Sequence, residues 1–254
     1  MRTSVVSRGH TISYRTEGTG TSLVLLAGWS QWADRWWEAG YIDRLRDQYQ
    51  VIGIDRLGHG ESDKPHDPLE YLEPLIVSDI VAVLDAEHVD QVLVWGHSAG
   101  ARDAAALAEL EPQRVAGLVC AAGVPMPRSQ ERSAQSVAMA ERIKTDEGMT
   151  AFLEGMGSPA EAVTASMQRN DSAALAAAMA GPAEWSATPD KIRAPSLWYV
   201  GSDDNGGFTR EAVDTASRLG VETHVMPGAD HVAVFRRTDD VLAFVQPFLD
   251  RNNS

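Results

Sequence analysis

A single serine sits between two glycines in Gly96-His97-Ser98-Ala99-Gly100, where the apolar run VLVW gives way to an alanine-rich, helix-favouring segment. A side chain at so tight a strand-to-helix turn is forced into an unfavourable backbone conformation, and its flanking residues are drawn close together. Glycines two positions either side remove the Cβ atoms that would collide. The hydroxyl of Ser98 then projects clear of the chain beside a helix N-terminus, where amide hydrogens and the helix dipole favour developing negative charge. The spacing alone arises by accident in about one chain in ten of this length, so its weight comes from its place at a strand–helix junction. The chemistry in view is attack of an alcohol on a carbonyl carbon.

A serine hydroxyl is a weak nucleophile until a neighbouring base takes its proton, so a histidine and an orienting carboxylate are required. Of the seven histidines, His231 in PGADHVAVF follows the last strand pattern, where a loop would carry it to the same sheet edge as Ser98. His59 and His66 lie in the loop after QVIGID, His97 is part of the turn itself, and His10, His88 and His224 sit within or beside regular elements. All six read as structural. The acid is expected after another strand, and SLWYVGSDDNGG offers Asp203 and Asp204. Asp230 is a poor partner, because neighbouring side chains in an extended loop point apart.

The elements that must position these groups are legible as short β-branched runs alternating with longer helical patterns, which implies parallel strands joined by crossover helices. The candidate strands are TSVVS, TISYR, LVLLAG, QVIGID, QVLVWG, VAGLVCAAG, SLWYVG and ETHVM, the first two forming a hairpin about Arg8-Gly9-His10. Between Tyr71 and His88, Leu72, Leu75, Ile76, Ile80, Val83 and Leu84 recur at helical spacing, with Pro74 placed where only a first turn tolerates it. From about Met126 to Asp190 the alternation stops and the chain reads as helices. Met126, Met139, Met149, Met156, Met167 and Met179 lie there. Methionine fills irregular apolar space, so these residues either roof a hydrophobic cavity or pack the helices together. GTGTS, residues 18–22, is a turn and lacks the Lys-Ser/Thr ending of a phosphate loop.

The 254 residues, 44% hydrophobic, suffice for one large domain. A formal net charge of −14 argues against a nucleic-acid surface and, less strongly, against anionic membranes. The same balance discourages highly anionic substrates unless local charges override it. One cysteine, Cys120, cannot form an intrachain disulfide and reads as a small core residue. The first residues lack the apolar stretch of a secretory signal, and no run approaches the ~20 residues of a membrane helix. A cytoplasmic protein acting on a small molecule, with no nucleic-acid or membrane partner, is expected.

With these residues in hand the sequence resembles the α/β-hydrolase superfamily over essentially its full length. LVLLAGWSQ resembles the oxyanion-loop strand, DRLGHGESDKP the loop after the next strand, GHSAG the nucleophile elbow, GSDD the acid turn and GADH the histidine loop. The resemblance implies an α/β fold with a mostly parallel sheet of about eight strands. It implies a core of residues 1–125 and 191–254, interrupted by a small helical cap over 126–190. Family members place the acid three residues after the glycine of the acid turn, which selects Asp204. Ser98, Asp204 and His231 then form the triad, and the backbone N–H groups of Trp29 and Ala99 bind the oxyanion. One departure is that Ala27 precedes Gly28, where the family commonly has His-Gly.

The expected function is hydrolysis of a carboxylic ester or lactone of a small to medium, mainly apolar substrate through an acyl-enzyme, with no metal or organic cofactor. Carbon–carbon bond hydrolysis, amide hydrolysis and perhydrolysis use the same triad, and a receptor-like member would bind with little turnover. A serine at the elbow argues against haloalkane dehalogenases and epoxide hydrolases, which use aspartate there. Of Trp29, Trp32, Trp36 and Trp37, the first is expected to wall the substrate pocket and the others to pack the following helix.

Overall fold

Eight strands hydrogen-bond into one sheet: β1 (Arg2–Ser7), β2 (His10–Glu17), β3 (Thr21–Leu26), β4 (Tyr49–Ile54), β5 (Val92–His97), β6 (Val115–Ala121), β7 (Ser196–Gly201) and β8 (Glu222–Met226). The computed structural model describes residues 1–127, 129–155, 160–181, 186–204 and 208–253. Met156 and residues 205–207 of the acid turn lie outside the described residues. The strand order is β1-β2-β4-β3-β5-β6-β7-β8. β1 and β2 pair antiparallel about a two-residue turn in which Arg8 (φ 52°) and Gly9 (φ 88°) are left-handed, the geometry that matches the twist of a hairpin. β2 meets β4 antiparallel, and every pairing from β4 through β8 is parallel.

The helices follow in chain order as α1 (Asp34–Glu38), α2 (Tyr41–Leu45), α3 (Glu73–Ala86), α4 (Ala99–Leu110), α5 (Gln130–Ile143), α6 (Asp146–Gly155), α7 (Ala160–Arg169), α8 (Ser172–Ala180), α9 (Phe208–Leu219), α10 (Ala233–Arg236) and α11 (Thr238–Arg251). α3 occupies the segment where helical spacing places it, with Pro74 in its first turn. Between β6 and β7 the described residues form α5 to α8 and no strand.

Strand side chains alternate between two cores, as a period of two requires. Val24 and Leu26 of β3, Val92 and Val94 of β5, and Leu118 and Cys120 of β6 face α3 and α4. Leu23 and Leu25, Leu93 and Trp95, and Val119 face α1, α2 and α11. Burial on both sides explains the unbroken apolar runs of the central strands. The buried face of α4 is largely methyl groups, Ala101, Ala104, Ala105 and Ala108, and small side chains let a helix lie close to a sheet. A third cluster, including Ile143, Met149, Leu153, Val163 and Leu175, holds α5 to α8 together.

After β3 the chain moves to one side to make β4, then returns through α3 to the other side of β3 to make β5. That reversal leaves a crevice at the carboxyl ends of β3 and β5, the place where open α/β sheets bind ligands. Asp55, fully buried at the end of β4, braces this edge: its carboxylate accepts from the Ala33 amide at 2.7 Å, the Glu61 amide at 3.0 Å and the Arg2 guanidinium at 2.7 Å. Arg56 beside it pairs with Asp103 of α4 at 2.9 Å, so the loop after β4 reaches both the loop after β3 and the helix behind Ser98.

An amide at position 55 turns a donor towards groups that themselves donate and removes the charge opposite Arg2. Asp55→Asn is expected to cost about 3 kcal/mol of unfolding free energy, measured by urea denaturation. A cost near zero would show that the brace is dispensable.

Candidate active site

Ser98 lies between β5 and α4 with φ 55° and ψ −116°, outside the regions that a residue with a Cβ normally occupies. Two close approaches hold it there. A Cβ on Gly96 would lie 2.1 Å from the Gly100 carbonyl oxygen, and one on Gly100 would lie 2.2 Å from the Leu26 carbonyl oxygen. Neither position accepts any other residue without moving backbone. The Ser98 amide donates to the Ala121 carbonyl at 2.7 Å, tying the turn to the neighbouring strand β6. Gly123, just past β6, is a third such contact, with a Cβ there 2.3 Å from the Ser98 carbonyl oxygen. Sequence reasoning misses Gly123, because nothing local marks a residue 25 positions away as the floor of the turn.

Two further loops bring the remaining groups to this edge. The His231 Nε2 atom lies 3.0 Å from Ser98 Oγ, and its Nδ1 lies 3.0 Å from Asp204 Oδ2. The second contact assigns the proton: Nδ1–H donates to the carboxylate, leaving Nε2 free to accept from the serine hydroxyl. The Asp204 carboxylate is 8% exposed and the imidazole 41%, so the carboxylate is shielded while the His231 ring faces the cavity. Asp203 is turned elsewhere, its carboxylate accepting from the Ser202 hydroxyl at 2.7 Å. Asp230 caps α10 by accepting from the Val232 and Ala233 amides at 3.0 and 2.7 Å.

The other histidines have separate settings. His10 and His66 meet Glu70 and Asp171 at the surface, and His224 stacks on Phe244. His59 is fully buried, and burial lowers its pKa from 6.5 to about 3. His97 is also driven down to about 3, chiefly by burial and secondarily by the nearby His231. Its Nε2 lies 3.3 Å from the His231 carbonyl oxygen. As a neutral donor it supports the loop that carries His231.

The loop after β3 closes the other side. A Cβ on Gly28 would lie 3.3 Å from Ser98 Cβ, so the backbone leading to the Trp29 amide runs against the serine. The Ala99 amide opens α4 immediately after it. The Ala27 methyl is buried in the core shared with α1 and α2. The Trp29 indole N–H donates to the Leu175 carbonyl of α8 at 3.0 Å, and its ring meets Phe152 of α6 edge-on at 5.6 Å. By contrast Trp36 is fully buried against Tyr41, Trp95 and Phe235.

These groups open on a cavity of about 510 Å³. Trp29, Leu153, Val232 and Phe235 give it apolar walls, with Ala162 and Ser166 reaching in from α7. No methionine lines it among the described residues. Met139, Met149, Met167 and Met179 pack within the cluster of α5 to α8, and Met126 joins the core beside α4. Of the two readings of these residues, helix packing describes the four on α5 to α8.

The fold is matched elsewhere. Residues 21–142 match a family model described as alpha/beta hydrolase fold. A putative 2-succinyl-6-hydroxy-2,4-cyclohexadiene-1-carboxylate synthase of Bacillus subtilis is 30% identical over 154 residues, 58% of this chain and 55% of that protein. A non-heme chloroperoxidase of Streptomyces lividans is 35% identical over 131 residues, 49% of this chain and 45% of that protein. The chain thus spans about half the length of these curated relatives. A carboxylesterase structure from Nitrososphaera gargenis superposes with a TM-score of 0.84 over 99% of this chain and 98% of that one at 18% identity, a likeness of fold. The chain has the α/β-hydrolase fold.

The depressed His97 pKa has a consequence for stability. The unfolded chain binds a proton at this position below pH 6.5, whereas the folded one does so only near pH 3. Its contribution is therefore complete above pH 6.5 and is lost as pH falls towards 3, about 2 kcal/mol of it by pH 5. Unfolding free energies of His97→Gln should decline less steeply between pH 7 and 5 than those of the parent. Parallel declines would count against a neutral, buried imidazole.

Proposed function

We propose that this protein is a serine hydrolase that cleaves a carboxylic ester or lactone with a mainly apolar body. The observation that carries the reading is the single imidazole bridging Ser98 Oγ and Asp204 Oδ2 at 3.0 Å on each side. His231 accepts the hydroxyl proton as Ser98 attacks the carbonyl carbon, then returns it to the departing alcohol. Asp204 fixes the ring tautomer and stabilises its charged form. The carbonyl oxygen, gaining negative charge, faces the Trp29 and Ala99 amides, which supply the electrostatic stabilisation. Water activated by the same imidazole releases the acyl group. α5 to α8 act as a cap over the cavity, within a core of residues 1–125 and 191–254.

A serine also sets a chemical limit. Opening an epoxide through this residue would leave a serine ether, which water does not cleave at a useful rate, whereas attack on a carbonyl leaves an ester that it does. The reading therefore excludes alkyl-enzyme chemistry and keeps acyl transfer.

A fluorophosphonate probe should label the protein at Ser98, and Ser98→Ala should neither be labelled nor hydrolyse 4-nitrophenyl butyrate. Asp204→Asn should lower kcat by roughly 10³ to 10⁴, while Asp203→Asn stays within about fivefold of the parent. The reverse ranking of the two aspartates, or labelling that persists without Ser98, would overturn the assignment.

The similarity to a protein named non-heme chloroperoxidase favours one second reading, perhydrolysis, in which hydrogen peroxide replaces water at the acyl-enzyme and leaves as the peracid. Peracid formation from acetate and peroxide, lost in Ser98→Ala, is the expected sign. Hydrolysis with no peracid would leave water as the sole acceptor.

A further inference from the structure

We infer that the substrate carries a carboxylate remote from its scissile carbonyl, and that Arg236 at the mouth of the cavity binds it. The inference rests on the serine-hydrolase reading and adds the charge of the molecule that fills the site. The chain as a whole is strongly acidic, with a formal net charge of −14, yet the cavity wall reverses that sign. Its permanently charged lining groups are Arg35, Arg236 and Asp230, two cations and one anion. The Asp230 carboxylate is already held by the Val232 and Ala233 amides as the cap of α10. Which cation sets the potential that an entering molecule meets depends on how each guanidinium is paired.

The two guanidinium groups are differently committed. Arg35 donates through Nε to Gln31 Oε1 at 2.9 Å and through Nη1 to Glu38 Oε2 at 2.5 Å, and its charge lies over the Trp32 ring, 5.4 Å from the centroid. It is neutralised and anchored. Arg236 has no side-chain hydrogen bond, ion pair or ring contact among the described residues. The adjacent Arg237 instead closes on the Pro227 and Gly228 carbonyls at 2.9 and 2.6 Å. Two consecutive arginines thus have opposite settings: one staples the histidine loop, and the other faces the cavity with its planar donor fork unused. That fork matches a carboxylate through two parallel N–H···O bonds.

The position of Arg236 defines where the acid group sits. Arg236 ends α10, five residues after His231, so it lies on the wall that begins at the catalytic base and continues through Val232 and Phe235. Between the two ends the wall is apolar, with Val232 half exposed at 51%. A molecule with a reactive acyl group at one end, a short hydrocarbon body and an anion at the other satisfies all three zones. Lactones and neutral esters fill only the first two.

Two matched pairs of probes test this, since the acid could lie on either side of the ester bond. Mono-4-nitrophenyl glutarate against 4-nitrophenyl hexanoate places the charge on the acyl side, and 3-acetoxybenzoate against 3-acetoxybenzamide places it on the alcohol side. In at least one pair the parent should favour the anion, and Arg236→Gln should lower the anionic-to-neutral ratio of kcat/KM at least tenfold, through KM. Added salt should weaken the preference of the parent and leave the variant unaffected. An unchanged ratio in both pairs overturns the inference. Turnover of the neutral esters reports separately on the ester-hydrolase reading. Should no ester be cleaved, calorimetry on Ser98→Ala decides the charge alone: glutarate should bind and glutaramide should not, and Arg236→Gln added to Ser98→Ala should abolish the difference. Equal binding of the acid and the amide would refute it.

Discussion

The structure depends on one backbone conformation, that of Ser98. Holding a residue with a Cβ at φ 55° and ψ −116° costs on the order of 1–3 kcal/mol, and it persists only because three chain segments meet there without side chains. Gly96 of β5, Gly100 of α4 and Gly123 after β6 each bring a Cα hydrogen to a place where a methyl group would overlap a carbonyl. The alanine face of α4 extends the same economy of volume along the helix, so the serine stands on a helix pressed firmly against the sheet. The conformation in turn decides where a hydroxyl can project, and therefore where a base must come to meet it.

The path from sequence to this site is uneven, and the reasons are physical. Alternating apolar residues mark the strands directly, because a strand buried on both faces leaves no other pattern available to it. Ser98 is legible because its turn demands glycines nearby in the chain. Gly123 makes an equally severe contact and leaves no trace, since its partner is distant in sequence. Asp203 and Asp204 are alike in type and neighbourhood. Only the register in which the acid turn leaves β7 aims the second at His231 and the first at Ser202. The methionines between β6 and β7 are consistent in sequence with a cavity roof, but the four on α5 to α8 fill the spaces between those helices. Arg236 reads in sequence as an ordinary charged residue near a helix end, and becomes noticeable only when Arg237 beside it proves to be tied down.

Two buried carboxylates show how polar groups organise an otherwise apolar edge. Asp55 gathers the loop after β3, the loop after β4 and the amino-terminal strand onto a single pair of oxygens. Glu73, at the start of α3, lies 2.8 Å from Arg102 of α4. Burial raises its pKa to about 7, a change opposed by the neighbouring arginines. Neither carboxylate lines the cavity, so each ties its elements together without changing what the cavity presents to a ligand.

The indole of Trp29 joins the loop that lies against Ser98 to the backbone of α8 by one hydrogen bond. The helices between β6 and β7 are thus fastened to the sheet edge at a main-chain atom, Leu175 O, whose identity survives any change of side chain at that position. Swapping this segment for the corresponding helices of a homologue would preserve the latch only if the incoming backbone carried a carbonyl to the same point. Otherwise the transplant would loosen the very amide it was meant to shelter.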